Sequence, residues 1–161
     1  MKSPPEILEA VVEDGRKELR RGSPGLAFSG LAAGLNISFS AVAVAVIGSL
    51  TGGIGIAAIA AYPIGFLIVV LGRAELYTEN TVTPVAVALK DRGQTKNTLR
   101  LWVVLFVFNM IGATAFAFVL LHAGILSPTA LDLLLEEVTR KIEPGFWAVT
   151  LKGIFGGWLV A

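Results

Sequence analysis

Arg73-Ala-Glu-Leu-Tyr-Thr-Glu-Asn-Thr-Val-Thr-Pro84 is a polar stretch set between two apolar runs. It carries Arg73, Glu75 and Glu79 within seven residues. A charge at bilayer depth costs about 2.5 to 3.5 kcal/mol even on lenient insertion scales, a cost that marks a pathway or a site. The surroundings are built for lipid: of 161 residues 55% are hydrophobic and 16% charged, and the charges fall in clusters separated by long neutral stretches.

Immediately upstream, Ile54 to Gly72 is an apolar run interrupted by Pro63. Its Ile, Leu, Val and Phe residues supply roughly −3 to −6 kcal/mol of insertion free energy, enough to hold it in lipid. Downstream, the apolar residues of Glu75 to Leu89 give about −2 kcal/mol against roughly +5 to +7 for two charged glutamates, so that segment needs shelter from protein. Further upstream, Ala27 to Leu50 has 24 residues without a charge, enough to span about 30 Å of hydrocarbon. Its Gly30 and Gly34 form a Gly-x-x-x-Gly pair that permits close helix approach. Asn36-Ile-Ser38 lies inside this span, where it is expected to cap or bond a neighbouring helix rather than accept a glycan.

Loop charges set the topology. Arg16, Lys17, Arg20 and Arg21 in the N-terminal arm, and Lys90, Arg92, Lys96 and Arg100 further on, place both segments in the cytoplasm by the positive-inside rule. Two cytoplasmic ends require an even number of crossings between them. Ala27 to Leu50 is one, so Ile54 to Leu89 amounts to one net return, read as a helix that breaks at the polar stretch and resumes as a half-helix around Val82 to Leu89. Non-helical backbone at membrane depth is tolerated only where protein buries it or it lines a cavity.

The rest divides into an arm, residues 1–26, and a transmembrane domain, residues 27–161. The arm opens with Ser3-Pro4-Pro5-Glu6, a helix start. Ile7, Leu8, Val11, Val12 and Leu19 then recur at helical spacing opposite charged residues, which predicts a helix on the membrane surface or on a neighbouring subunit, or else a solvated arm. Leu101 to Ala123 is a third crossing containing Asn109, with His122 at its outer end as an interfacial residue. Ser127-Pro128 begins an amphipathic external helix whose apolar face holds Leu131, Leu134, Leu135, Val138 and Ile142. From Gly145 the chain turns apolar again and is expected to end inside its fourth helix.

Composition excludes several classes. With no cysteine, disulfides, Cys-ligated zinc, iron–sulfur clusters and thiol catalysis are out, and the single His122 excludes a His-rich metal site. No cofactor or metal is expected. No basic stripe interleaved with aromatics points to nucleic acid. No cleavable signal peptide is evident. Glu75 and Glu79 lack a nucleophile and base in a recognisable motif, so an enzyme is not expected.

Ala74-Glu75-Leu76-Tyr77-Thr78-Glu79-Asn80-Thr81 resembles the Glu-Leu-Phe-Thr-Gly-Asn-Thr signature of the formate/nitrite transporter family. Phe108-Asn109-Met110-Ile111-Gly112 resembles the family's Asn-x-x-Gly, and Gly153-Ile154-Phe155-Gly156-Gly157-Trp158-Leu159-Val160 resembles its Gly-Ile-Leu-Cys-Asn-Trp-Leu-Val. The matches run in order through essentially the whole chain. The resemblance implies an all-α membrane protein of the cytoplasmic (inner) membrane with an aquaporin-like bundle, of which this chain is the first half of an inverted-repeat, six-helix fold with a broken second helix. It implies a homopentamer with a pore through each protomer, carrying small monovalent anions such as formate or nitrite.

By the same resemblance the polar stretch closes the cytoplasmic side of the pore. Thr78 matches the signature threonine, flanked by Leu76 and Tyr77 and followed by Glu79 and Asn80. Tyr62 and Phe66 occupy the apolar constriction, bulky rings at i and i+4 on one helix face, or are packing aromatics. Lys141 takes the place of a vestibule lysine. The sequence also departs from the family: its signature glycine is Glu79, another glycine is Arg73, the fourth-helix asparagine is Gly157, and the central pore histidine belongs to a second half beyond Ala161. An internal ion pair of Arg73 with Glu75 or Glu79 is expected, beside the permeant path or merely pinning the broken helix. The functions left open are a proton-linked anion channel or transporter, a neutral-solute pore, and a structural or regulatory subunit that has lost transport.

Overall fold

The computed structural model describes residues 3–160; Met1, Lys2 and Ala161, the outermost residues of the expected arm and fourth helix, lie outside them. Every regular element among them is helical: α1 (Pro4–Arg20), α2 (Ser23–Ile37), α3 (Phe39–Thr51), α4 (Ile56–Ala60), α5 (Ile64–Leu71), α6 (Val82–Lys90), α7 (Thr95–His122), α8 (Pro128–Ile142) and α9 (Gly145–Val160).

Among the described residues two helical stretches are long and apolar enough to cross a membrane: Ser23–Thr51, formed by α2 and α3, and Arg92–His122, mostly α7. At 1.5 Å per residue each reaches about 45 Å. The first bends at Ser38, whose Oγ donates to the Gly34 carbonyl at 2.9 Å, the back-bonding that loosens a helix. The expected bond from Asn36-Ile-Ser38 to a neighbouring helix is thus, for Ser38, a bond within its own.

Small residues let α2 and α7 meet. A Cβ on Gly34 would collide with the Asn109 carbonyl, and one on Gly112 with the Leu31 carbonyl. Gly30 and Gly34 therefore form a working interface, with backbones close enough for dispersion contacts that larger side chains would prevent.

The arm differs from its sequence reading. Part of the apolar face of α1 packs on α6 of its own chain, a partner that the sequence reading did not name. Val12 and Leu19 join Leu26, Val87, Leu101 and Leu105 in one buried cluster. Gly15 permits the contact: a Cβ there would come within 2.7 Å of Val87 Cγ2 and 2.8 Å of the Thr83 carbonyl oxygen. Ser3 starts the helix as expected, its backbone N–H donating to Glu6 Oε2 at 2.6 Å. Ile7 and Leu8, at the far end of the face, stay exposed.

Arg100 Nη2 donates to the carbonyls of Leu19 at 2.8 Å and Arg21 at 2.9 Å, so the arm and the basic segment around Lys90 to Arg100 lie at one end of the bundle. At the other end α8 rests on α3, with Leu133 in van der Waals reach of Gly48. Between these ends α4, α5 and α6 make one net return, the arrangement that the parity of crossings requires. Gly65 brings α5 against the bend in the first crossing, its N–H donating to Ser40 Oγ at 3.1 Å.

On α8 the packed stripe is rotated from the expected one. Ala130, Leu133 and Leu134 turn inward, whereas Leu135, Val138 and Ile142 are 47%, 49% and 66% exposed. Leu133 faces Gly48 on α3, where the absence of a side chain leaves room for it. α9 packs only lightly on α8, leaving Phe146, Trp147, Ile154, Phe155 and Trp158 exposed.

Candidate functional site

The return helix ends at Gly72 in a pattern that explains where the polar stretch begins. The Arg73 N–H donates to the Val70 carbonyl at 3.2 Å and the Ala74 N–H to the Val69 carbonyl at 3.1 Å. This pair of bonds is a Schellman cap with Arg73 at its left-handed position. Arg73 has φ 50°, the one non-glycine residue with positive φ among the described residues. The hydrophobic contact that accompanies such caps is present too, as Val69 and Ala74 meet in a cluster with Ala33 and Leu76. A glycine, which the family resemblance puts at this position, would adopt the conformation without strain.

Beyond the cap the chain leaves helical geometry until Val82, and the freed backbone groups need partners. Four side chains supply them. Ser29 Oγ accepts from the Glu75 N–H at 3.1 Å. Asn109 accepts from the Tyr77 N–H at 2.8 Å through Oδ1, and through Nδ2 donates to the carbonyls of Glu75 at 3.1 Å and Gly30 at 2.8 Å. Asn80 Nδ2 donates to the Leu76 carbonyl at 2.9 Å, and the Trp102 indole N–H donates to the Asn80 carbonyl at 2.9 Å. The break is thus stitched to α2 and α7 at the level of the Gly30, Gly34 and Gly112 contact. Pro84, in the first turn of α6, removes an N–H that would have no helical partner there.

Glu75 is the electrostatic centre. One carboxylate oxygen accepts from Arg21 Nη1 at 2.8 Å and the other from Asn80 Nδ2 at 2.7 Å. Arg21 also holds Glu18 at 2.8 Å. Burial works against the charge on Arg21, but the carboxylates of Glu18 and Glu75 outweigh it, and the guanidinium is held above its already high ordinary value. The expected internal pair of Arg73 with Glu75 or Glu79 does not form. Arg73 is exposed at the helix cap, and among the described residues no carboxylate lies within salt-bridge distance of it. Glu75 takes its cation from the arm instead. Glu79 is half-buried and, among the described residues, likewise has no ion-pair partner.

The other expected site residues separate into two groups. Leu76 and Asn80 are buried, at 7% and 6% exposure, and act in packing and hydrogen bonding within the chain. Tyr77 is half-buried, its ring edge-on to Phe106 with centroids 5.5 Å apart, and Thr78 is exposed. Tyr62 and Phe66 are not on one continuous helix, because Pro63 places Tyr62 in the turn before α5. Both rings are exposed, at 56% and 39%. Lys141 meets one of them, its Nζ 5.5 Å from the Tyr62 ring centroid. His122, stacked on Phe118 at 4.3 Å, is remote from the break.

Arg21, Ser29 and Trp102 were missed by sequence reasoning. Arg21 had a signal, being the last cation before the first crossing and at the same end as the half-helix. Ser29 and Trp102 had none, since a serine and a tryptophan in an apolar helix are unremarkable until the partner backbone is known. Among the described residues no group of His, Asp and Glu is arranged to hold a metal ion.

The model for the family described as Formate/nitrite transporter matches residues 5–161. An inner membrane protein of Escherichia coli (strain K12), YfdC, is 29% identical over 163 residues, covering 96% of this chain and 52% of its own length. The uncharacterized transporter YrhG of Bacillus subtilis (strain 168) is 31% identical over 167 residues, covering 99% of this chain and 62% of its own. This chain spans about half to three-fifths of the length of these relatives. With its signature stretch forming a stitched helix break between two apolar crossings, and the match running from the arm to the last helix, the chain is a membrane protein that belongs to the formate/nitrite transporter family.

Proposed function

We propose that the protein conducts small monovalent anions, formate or nitrite among them, across the cytoplasmic membrane, with the helix break closing the pathway on the side that carries the arm. The observation that carries this reading is the break itself. A non-helical segment at membrane depth is stabilised by Asn109, Asn80, Ser29 and Trp102, yet leaves Thr78 exposed between two half-helices. Irregular backbone at that depth is suited to lining a passage.

In this reading the arm is cytoplasmic, the crossings belong to an aquaporin-like bundle assembled as a homopentamer, and a complementary half covers the exposed faces of α5, α7 and α9. Lys141 draws a weak-acid anion to the outer mouth, and the acid crosses the apolar constriction at Tyr62 and Phe66 after taking up a proton. Burying an unpaired anion there is prohibitive, and protonation removes the charge. In liposomes Phe66→Ala is expected to raise anion flux and blunt its dependence on low pH, because a wider, wetter passage no longer requires the neutral acid. Unchanged flux and pH profile in a folded variant would remove Phe66 from the constriction.

Glu79 favours a second reading. An unpaired carboxylate beside the break repels anions, by about 1 to 4 kcal/mol at 4 Å for dielectrics between water and a protein surface, which suits a neutral-solute pore. Flux through the unaltered protein separates the two, with formate entering above the vesicle baseline if the first reading holds and only a neutral solute such as glycerol doing so if the second does.

A further inference from the structure

At the arm end of the bundle a half-open recess of about 330 Å³ lies between α1 and the turn that leads into α7, walled by Arg16, Leu19, Arg20, Asp91, Gln94 and Asn97. Its two walls carry opposite charge. Arg16 and Arg20, four residues apart, share one face of α1. Lys17 is paired with Glu13 and Asp14, and Arg21 with Glu18 and Glu75. Among the described residues no carboxylate lies within salt-bridge distance of Arg16 or Arg20. The facing wall holds Asp91, whose carboxylate accepts from the Gly93 N–H at 2.9 Å and from Gln94 Nε2 at 3.5 Å. Those bonds use two of its roughly four acceptor positions. Gln94 Oε1 accepts in turn from Asn97 Nδ2 at 2.9 Å, which ties the acid and both amides into one array.

Because the guanidiniums and the carboxylate line one recess without pairing, a ligand that satisfies both walls carries an anion at one end and an N–H cation at the other. Two guanidiniums on one helix face suit a phosphate, whose oxygens take paired N–H donors. The depth of the recess points to the membrane edge: Arg20 stands just before the Ser23–Thr51 crossing and Asp91 just before the Arg92–His122 crossing, the level at which lipid headgroups lie. We propose that the recess binds a phosphate ester bearing a primary ammonium, of the phosphoethanolamine type, with the phosphate on Arg16 and Arg20 and the ammonium on Asp91. The site is separate from the helix break and stands whether or not the break conducts.

The test is competition for the full chain in detergent micelles among equal amounts of phosphatidylethanolamine, phosphatidylcholine and phosphatidylglycerol, with bound lipid read by native mass spectrometry. Phosphatidylethanolamine is expected to be retained at least about threefold over each of the others, since choline has no N–H for Asp91 and glycerol has no cation. Asp91→Asn keeps an acceptor for the Gly93 N–H and is expected to erase the preference over phosphatidylglycerol. Arg16→Gln together with Arg20→Gln is expected to weaken retention of phosphatidylethanolamine about fivefold; should that variant not fold, Asp91→Asn decides alone. Free O-phosphoethanolamine distinguishes the sources of the ligand: displacement of the lipid assigns the site to the headgroup chemistry alone, and persistence of the lipid assigns it to the membrane phospholipid, the proposal holding in both cases. Equal retention of the three lipids, or unchanged selectivity in Asp91→Asn, overturns it.

Discussion

Replacing Arg73 by glycine tests the account of why the return helix stops where it does. Arg73 stands at the left-handed position of a Schellman cap with φ 50°. That conformation costs an L-residue about 1 to 2 kcal/mol through the contact of Cβ with the following carbonyl. Glycine removes the cost but brings about 0.5 to 1 kcal/mol of extra unfolded-state entropy. Arg73→Gly should therefore stabilise the protein by about 0.5 to 1 kcal/mol, a two- to fivefold gain in the folded-to-unfolded ratio. Arg73→Ala is the control, since it removes the charge and keeps the strain, and it should give no gain. Reversible unfolding in mixed micelles, followed by circular dichroism against detergent composition, measures both. Equal stabilisation by alanine and glycine would refute the reasoning and make the charge, rather than the backbone, the source of the cost.

Asn109→Leu keeps the branching of the side chain and leaves the Tyr77 N–H and the Glu75 carbonyl without partners, while the Gly30 carbonyl keeps its bond within α2. At about 1 to 3 kcal/mol for each orphaned group, the same unfolding assay should register a loss of about 2 kcal/mol or more; a loss under about 1 kcal/mol would mean that other groups hold the break. Cysteines at Ser3 and Gln94 should be labelled by impermeant reagents from one side of the membrane only, and one at Ser127 only from the other. Labelling of Gln94 from the Ser127 side would show that Glu75 to Leu89 crosses alone.

The existence of the break was legible because its reasoning needs only charge and length. Glutamates in a run too weakly apolar to span, flanked by basic segments that must share a side, leave one arrangement. The partners inside the break were not legible to the same degree. Glu75 has Arg73 two residues away and Arg21 54 residues away in sequence, yet it pairs with the distant one. Local spacing favours the neighbour, but the left-handed cap leaves Arg73 exposed, and the packing of α1 on α6 brings Arg21 in.

The partner of α1 was hidden for a related reason. An amphipathic face looks the same whether lipid or a helix covers it. Gly15 was the available signal, since a glycine inside a helix costs about 1 kcal/mol relative to alanine and survives where a backbone comes close. Asn109, by contrast, could be read directly. A strongly polar amide in the middle of an apolar crossing must find partners, and it found three backbone groups.

The central claim is that this chain helps form a conduit for weak-acid anions closed by the stitched break, and stopped-flow flux into liposomes carrying the protein tests it most directly. The account predicts uptake of formate and nitrite above that of protein-free vesicles, rising as the external pH falls, with glycerol uptake at the vesicle baseline. Glycerol uptake without formate or nitrite uptake, or no uptake of any of the three by protein that is folded and inserted, would contradict it.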